Sequence, residues 1–269
     1  MPPLDLLTSW PVDHGAGALI DRAGEWHFVG DPDHVFALAS VTKLVTAAAV
    51  QVAHDEGTVD LALPIEHVAG ATGADLLAHC SGLGPDSRHP VTAPGRRRIY
   101  SNTGYEVLAE RVALGAGFSF AEYVDEAVLQ PLELTRTTVA GSPAAGASSS
   151  VRDLTRFVSA ITTGRLLSDD AIARFTTAHR PDLSGVLPGY GRQTPNPWGQ
   201  GPEIRGHKAP HWTGAGNHPT TWGHFGQTGT FVWHDPSRSV SLIALTDRPF
   251  GPWAIEHWPV LSDAVLGHL

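Results

Sequence analysis

The chain reads as an α+β fold, with an antiparallel sheet built from both chain ends, flanked by helices, and a helical insertion lobe between them. Short apolar runs of strand length stand near the start (Ala18–Ile20, Trp26–Val29) and near the end (Thr220–Phe225, Thr230–His234, Val240–Thr246). Segments with helical spacing fill the middle. Strands that return after a helical run pair most simply in one sheet closed by the two ends. Hydrophobic residues make up 42% and charged residues 17% of the 269 positions, enough to build a core and too few charges for disorder.

The elements follow in order. Asp21-Arg22-Ala23-Gly24 turns the first two strands into a hairpin. From Ser40 a helix runs to about Glu56, closed by Gly57, and its residues are apolar nearly all round through Val50, the mark of a buried central helix. Asp75–His79 reads as a short helix, and Thr103–Leu114, Phe120–Leu129, Val151–Thr163 and Asp169–Ala178 carry helical spacing. The stretch from Arg180 to Pro219 is dense in Gly, Pro, Trp and His and reads as ordered loop. Gly229 and Asp235-Pro236-Ser237-Arg238 turn the last three strands, and a helix over Trp253–Gly267 closes the chain. Residues 1–60 and 200–269 then form an α/β lobe, with residues 61–199 as a mostly helical one.

Composition excludes several classes. The formal net charge is −9, and Arg96-Arg97-Arg98 is the one cationic cluster, too short to make a nucleic-acid surface. No apolar stretch is long enough to span a bilayer, and the first residues lack a basic region followed by an apolar one, so a cytoplasmic protein without membrane contact is expected. The single cysteine, Cys80, has no internal disulfide partner; a small buried residue is expected there rather than a thiol nucleophile, since adjacent His79 diverges from it. Among the 15 histidines, His207, His211, His218 and His224 cluster, but Gly206, Pro210, Gly214 and Pro219 rule against a helical ligand pair. No His-Glu-x-x-His run occurs, so neither metal nor organic cofactor is expected. Trp198, Trp212 and Trp222 flank His224 and either wall a pocket or pack the long loop.

Chemistry concentrates around one lysine. Only Lys43 and Lys208 are lysines among 18 basic residues. The choice matters because arginine stays protonated, whereas a buried lysine amine becomes neutral and accepts a proton. Ser40 and Lys43 lie three apart at a helix start, on one face. The positive end of the helix disfavours an ammonium there by ~0.3–1 kcal/mol, less than one pKa unit, so desolvation must supply most of the shift. A neutral Lys43 then takes the Ser40 hydroxyl proton. The alternative is that Ser40 caps the helix and Lys43 is solvated, although a capping box calls for Glu or Gln in the lysine's place.

Two further segments join them. Tyr100-Ser101-Asn102 precedes a helix; Tyr100 is suited to relay a proton, and Asn102 either to hold a substrate carbonyl or to hold Lys43. A helix cap with a packed tyrosine is the plain alternative. His224-Phe225-Gly226 ends a strand, where Gly226 is expected to let substrate approach the backbone and the next amide to face an oxyanion.

Taken together, these three segments resemble the serine β-lactamase and penicillin-binding protein superfamily, most closely its class C-like branch with related esterases and D-aminopeptidases. That branch carries serine-x-x-lysine, tyrosine-x-asparagine and lysine- or histidine-x-glycine in this order. Phe36–Ala39, His79–Leu83, Tyr100–Tyr105, Gly146–Phe157 and Gly223–Asp235 extend the likeness over most of residues 15–265. It implies a β-lactamase/transpeptidase-like fold and one catalytic domain over 1–269. It further implies Ser40 as the acylated nucleophile, Lys43 and Tyr100 as the proton-handling pair, and Gln227 as the second oxyanion amide donor, with Asn102, His224 and Gly226 at the substrate.

The third motif departs from the β-lactam-processing pattern, with His224 and Phe225 where lysine and a hydroxyl residue are favoured. A mostly neutral imidazole attracts a carboxylate less than an ammonium does. The expectation is therefore a serine hydrolase that forms an acyl-enzyme on small ester, amide or peptide substrates. D,D-peptidase or D-aminopeptidase action and weak β-lactamase action are the alternatives, and a non-catalytic binding protein on the same fold is the rival of another class. No feature of the sequence sets the oligomeric state.

Overall fold

The computed structural model describes residues 3–66 and 68–268. Its centre is a six-stranded sheet whose strands run, in spatial order, Glu203–Ile204, Trp222–Gly226, Thr230–Asp235, Val240–Thr246, Gly15–Ile20 and Trp26–Val29. Every pairing is antiparallel, and the two chain ends meet where Gly15–Ile20 lies against Val240–Thr246, Leu19 opposite Leu242. Among the described residues seven α-helices surround or extend it: α1 Thr42–Asp55, α2 Gly73–Leu77, α3 Asn102–Ala116, α4 Phe120–Val124, α5 Val151–Thr162, α6 Asp169–Thr176 and α7 Pro252–His268. The expected α+β architecture is thus the observed one.

Alternation along the strands explains the layering. Val232, Ile243 and Leu245 face a large core shared with α1, α3 and α5. Phe231, Trp233, Leu242 and Ala244 point the other way, into a second core with α7 and the N-terminal 3-10 helix Pro3–Ser9. With both faces covered, Thr230–Asp235 and Val240–Thr246 are buried at every position, which is why they read as continuous apolar runs.

Differences from the sequence reading are local. The stretch 180–219 is not all loop: it holds a hairpin, Gly185–Leu187 with Gly191–Gln193, and the sheet's edge strand Glu203–Ile204. Strands of two or three residues are too short to show a period of two. The helix expected over Phe120–Leu129 is α-helical only to Val124 and continues as a π turn over Asp125–Leu129. The helix expected from Ser40 starts as a 3-10 turn, Ala39–Val41, and becomes α-helical at Thr42. Among the described residues no helix is long and apolar enough to cross a membrane.

Candidate active site

Ser40 sits in a turn that the fold holds under tension. Ala39, just before it, has φ 44°, left-handed backbone that costs a residue with a Cβ roughly 1–2 kcal/mol. Hydrogen bonds pin this turn from three sides: Leu38 N–H donates to Ala147 O at 2.9 Å, Thr230 Oγ1 to Leu38 O at 2.9 Å, and Thr228 Oγ1 to Ala37 O at 2.7 Å. Gly226 belongs to the same packing. A Cβ there would lie 2.2 Å from Leu38 O, so the glycine admits the backbone of the Ser40 turn, where the sequence suggested room for substrate. Ser40 does not cap α1, whose N-terminus has no side-chain cap.

Lys43, the second residue of α1, is fully buried. Its Nζ donates to Asn102 Oδ1 at 2.7 Å and to Ala144 O at 2.9 Å. Burial pushes the amine down to about 7, against the opposing pull of the Asp86 and Glu106 carboxylates. Two acceptors match the two N–H bonds of a neutral amine and leave its lone pair unengaged. Asn102 is fixed in turn: its Nδ2 donates to Asp86 Oδ1 at 2.8 Å, which turns its carbonyl toward Lys43. Of the two roles open to Asn102, the structure shows the holding of Lys43. The carbonyl of Ala144 is placed by a segment strapped to α1, where Thr46 Oγ1 donates to Pro143 O at 2.6 Å and Ala147 N–H to Thr42 Oγ1 at 3.0 Å.

Tyr100 links the three segments. Its hydroxyl lies 3.4 Å from His224 Nε2, Lys43 Nζ is 4.6 Å from its ring centroid, and it lines one small cavity with Ser40. Burial holds the phenol above its ordinary value, so it is a proton donor at neutral pH. The ring packs between His79, at 4.5 Å, and Trp198, at 5.8 Å. Ser101 supplies the helix cap, its side chain accepting from Gly104 N–H, and this leaves Tyr100 and Asn102 to face the site from either side of the cap.

His224 is buried, and desolvation together with the nearby Lys43 pushes it down to about 3. Its Nδ1 donates to Phe225 O at 2.7 Å, so Nε2 carries the lone pair and accepts from Tyr100. The third motif therefore presents no cation. Gln227 is exposed beside Ser40, and among the described residues neither backbone N–H of this pair donates to another group of the chain.

The second lysine lies at the same place, which sequence reasoning missed. Glu203, from the edge strand, lines the small cavity of about 50 Å³ shared with Ser40, Tyr100, Trp198, His224 and Gln227. Lys208 Nζ and His211 Nε2 both meet Glu203 Oε1, the latter at 2.9 Å, while Trp212 Nε1 donates to Oε2 at 2.8 Å. All four side chains are buried. These partners hold the Glu203 carboxyl far below the usual carboxylate range despite its desolvation, and burial brings Lys208 down to about 8. The signal was present: the chain's one other lysine, with a glutamate and a histidine within five residues of it.

The other grouping of ligand-type residues has a different character. Asp75, Cys80 and His179 offer donor atoms within 4.8 Å of one another, yet Arg180 Nε donates to Asp75 Oδ1 at 2.7 Å and its Nη2 to Oδ2 at 3.1 Å. The Cys80 thiol, pushed up to about 12, donates to the same carboxylate at 3.2 Å. This is a satisfied ion-pair cluster, and Cys80 is the buried small residue expected.

A half-exposed serine at a helix start, a buried lysine pushed down to about 7 and a tyrosine lining the serine's cavity, on an α+β fold, are features of a serine hydrolase of the β-lactamase and penicillin-binding protein superfamily. The chain belongs to the Beta-lactamase family, whose profile matches residues 14–265. Among solved structures it is similar to a beta-lactamase (Mb2281c) from Mycobacterium bovis, with 47% identity, a TM-score of 0.96, and 99% of this chain and 98% of that one covered. The D-amino acid amidase from Ochrobactrum anthropi SV3 shares the fold at 19% identity, with a TM-score of 0.81 and 100% and 99% covered. The D-alanyl-D-alanine-carboxypeptidase/endopeptidase AmpH of Escherichia coli (strain K12) is 29% identical over 147 residues, 41% of this chain. That match spans only 38% of the length of the curated relative.

Proposed function

We propose that the protein hydrolyses small esters or amides through an acyl-enzyme on Ser40. Lys43 takes the Ser40 proton as the oxygen bonds to the substrate carbonyl carbon, and the backbone N–H groups of Ser40 and Gln227 receive the oxyanion. As the carbonyl reforms, the bond to the leaving oxygen or nitrogen breaks, and Tyr100 donates a proton to that atom. Lys43, which holds the serine's proton, restores the phenol. Water, deprotonated by the same pair, then releases the acid and frees Ser40.

The observation that carries this reading is the burial of Lys43, whose amine falls to about 7 and makes a base at working pH. The neutral His224 favours substrates without a carboxylate at the third motif, hence esters and amides over β-lactams. The cavity at Ser40, about 50 Å³, suits a short acyl group. D-amino-acid peptidase or amidase action is the second reading, supported by what the AmpH relative is named for.

A fluorophosphonate probe read by intact mass tests the chemistry. One adduct is expected on the native chain and none on Ser40→Ala; an unlabelled native protein would mean a binding protein on this fold. Short p-nitrophenyl esters set beside a chromogenic cephalosporin test the substrate class, and efficient cephalosporin turnover would overturn it.

A further inference from the structure

A second cavity opens directly beside the nucleophile's. It is a groove of about 470 Å³, and it shares Tyr100 and Pro188 with the small cavity at Ser40. One short strand divides the two. In Gly185–Leu187, the buried Leu187 lines the Ser40 side, whereas Val186, 63% exposed, lines the groove. The partition is rigid: Arg98 N–H donates to Ser184 O at 2.8 Å, and the Arg98 guanidinium donates to Asn196 O at 2.6 Å and to His179 O and Arg180 O at 2.9 Å each.

The groove joins apolar and cationic walls. Ile99, Val186 and Pro188 supply the apolar surface, and Arg97 and Arg192 stand on it, both exposed. Among the described residues neither guanidinium has an ion-pair or hydrogen-bond partner, although elsewhere Arg152, Arg174, Arg180 and Arg238 are each paired with a carboxylate. Arg22, Arg96 and Arg165 are likewise without such partners, so what sets Arg97 and Arg192 apart is that both line one groove beside an apolar wall.

From this juxtaposition we propose that the groove between Tyr100 and the Gly185–Gln193 hairpin is the leaving-group subsite. It would take an apolar leaving group that ends in an anion, such as a carboxylate, held by Arg97 and Arg192. The proposal rests on the hydrolase reading above. Tyr100 assigns the side: it is the group that protonates the departing atom, and it is also the wall common to both cavities. The anion recognition that the neutral His224 does not supply is found here, at the far end of the substrate. An aryl or alkyl spacer bridges from the scissile bond to the arginines.

The test uses two acetyl esters with one acyl group, the anionic ester of 4-hydroxyphenylacetate and the neutral ester of its methyl ester. The expected kcat/KM ratio is about fivefold in favour of the anionic ester at low salt, falling as salt rises. In Arg97→Gln/Arg192→Gln the ratio falls to about one. Equal turnover of both esters by the native protein, or a preference that survives in the double variant, overturns the proposal while leaving the hydrolase reading intact. If neither ester is cleaved, the hydrolase reading fails, and the groove is decided by calorimetric binding of 4-hydroxyphenylacetate to the native chain and the double variant. Weaker binding by the variant upholds the subsite, and equal binding or none by both removes it.

Discussion

Lys43 donates a 2.7 Å hydrogen bond to Asn102 Oδ1, and Asp86 fixes the Asn102 amide so that only its carbonyl faces the amine. An uncharged partner is what lets Lys43 remain a base. A carboxylate in that position would hold the proton on the lysine.

Asn102→Asp should therefore move the acid limb of the rate profile. In the native protein kcat/KM is expected to rise with pH through about 7, as Lys43 loses its proton, and then to level off. Neither Tyr100, held above its usual range, nor His224, neutral above about 3, adds a further limb between pH 5 and 9. In Asn102→Asp the limb should shift upward by about 1–3 units, an opposite charge favouring the ammonium. Activity at pH 7 then drops by tenfold or more and recovers at higher pH. An unmoved limb in a pH series would dissociate Asn102 from Lys43.

Lys43 should also leave a signature in stability. Its amine titrates at about 7 in the folded chain and at ~10.4 unfolded, so between those values the unfolded state binds more protons. The Lys43 contribution to native stability should thus rise with pH across this window, by about 2 kcal/mol between pH 7 and 9, on top of that of Lys208. Lys43→Met removes the titrating group, so the difference between native and variant unfolding energies should change by that amount over the same interval. Urea melts at both pH values measure it, and parallel curves would contradict the buried neutral amine.

Glu203 and Lys208 should behave as a unit. Glu203→Gln leaves Lys208 buried without its counter-charge and is expected to cost about 3–5 kcal/mol. Glu203→Gln/Lys208→Met removes both charges and should recover most of that loss. A denaturant double-mutant cycle with no coupling between the positions would count against the cluster as drawn.

His224→Lys would place a cation at the third motif. The added charge should push the acid limb of neutral-ester hydrolysis below 7, since a like charge disfavours the Lys43 ammonium. It should also raise acylation by penicillin, which carries a carboxylate, by roughly tenfold, the equivalent of ~1.4 kcal/mol. Mass-detected acyl adduct over time reads the second effect. No gain would mean that the charge of this motif does not set substrate choice.

Much of this molecule could be read from the chain alone, for identifiable reasons. Val240–Thr246 was placed to the residue because its apolar run is bounded by Ser239 and Asp247. Ser40, Lys43, Tyr100 and Asn102 could be picked out because the chemistry needs particular side chains at fixed spacing. The Ala144 carbonyl was invisible, since any residue offers one, and only the strapping of residues 143–147 to α1 places it. Gly226 was found, but what fills the space beside it is Leu38 O, a contact between residues 188 positions apart. Glu203 was hidden in an edge strand of two residues, too short for any pattern, although its partner Lys208 was conspicuous by type.

Both lysines point inward, with Lys43 0% and Lys208 4% exposed. Reagents that acylate surface lysines, such as succinimidyl dyes and cross-linkers, find no side-chain amine on the native exterior. By that route the two lysines would be labelled only as the structure is lost. Coupling through its abundant carboxylates is the gentler handle.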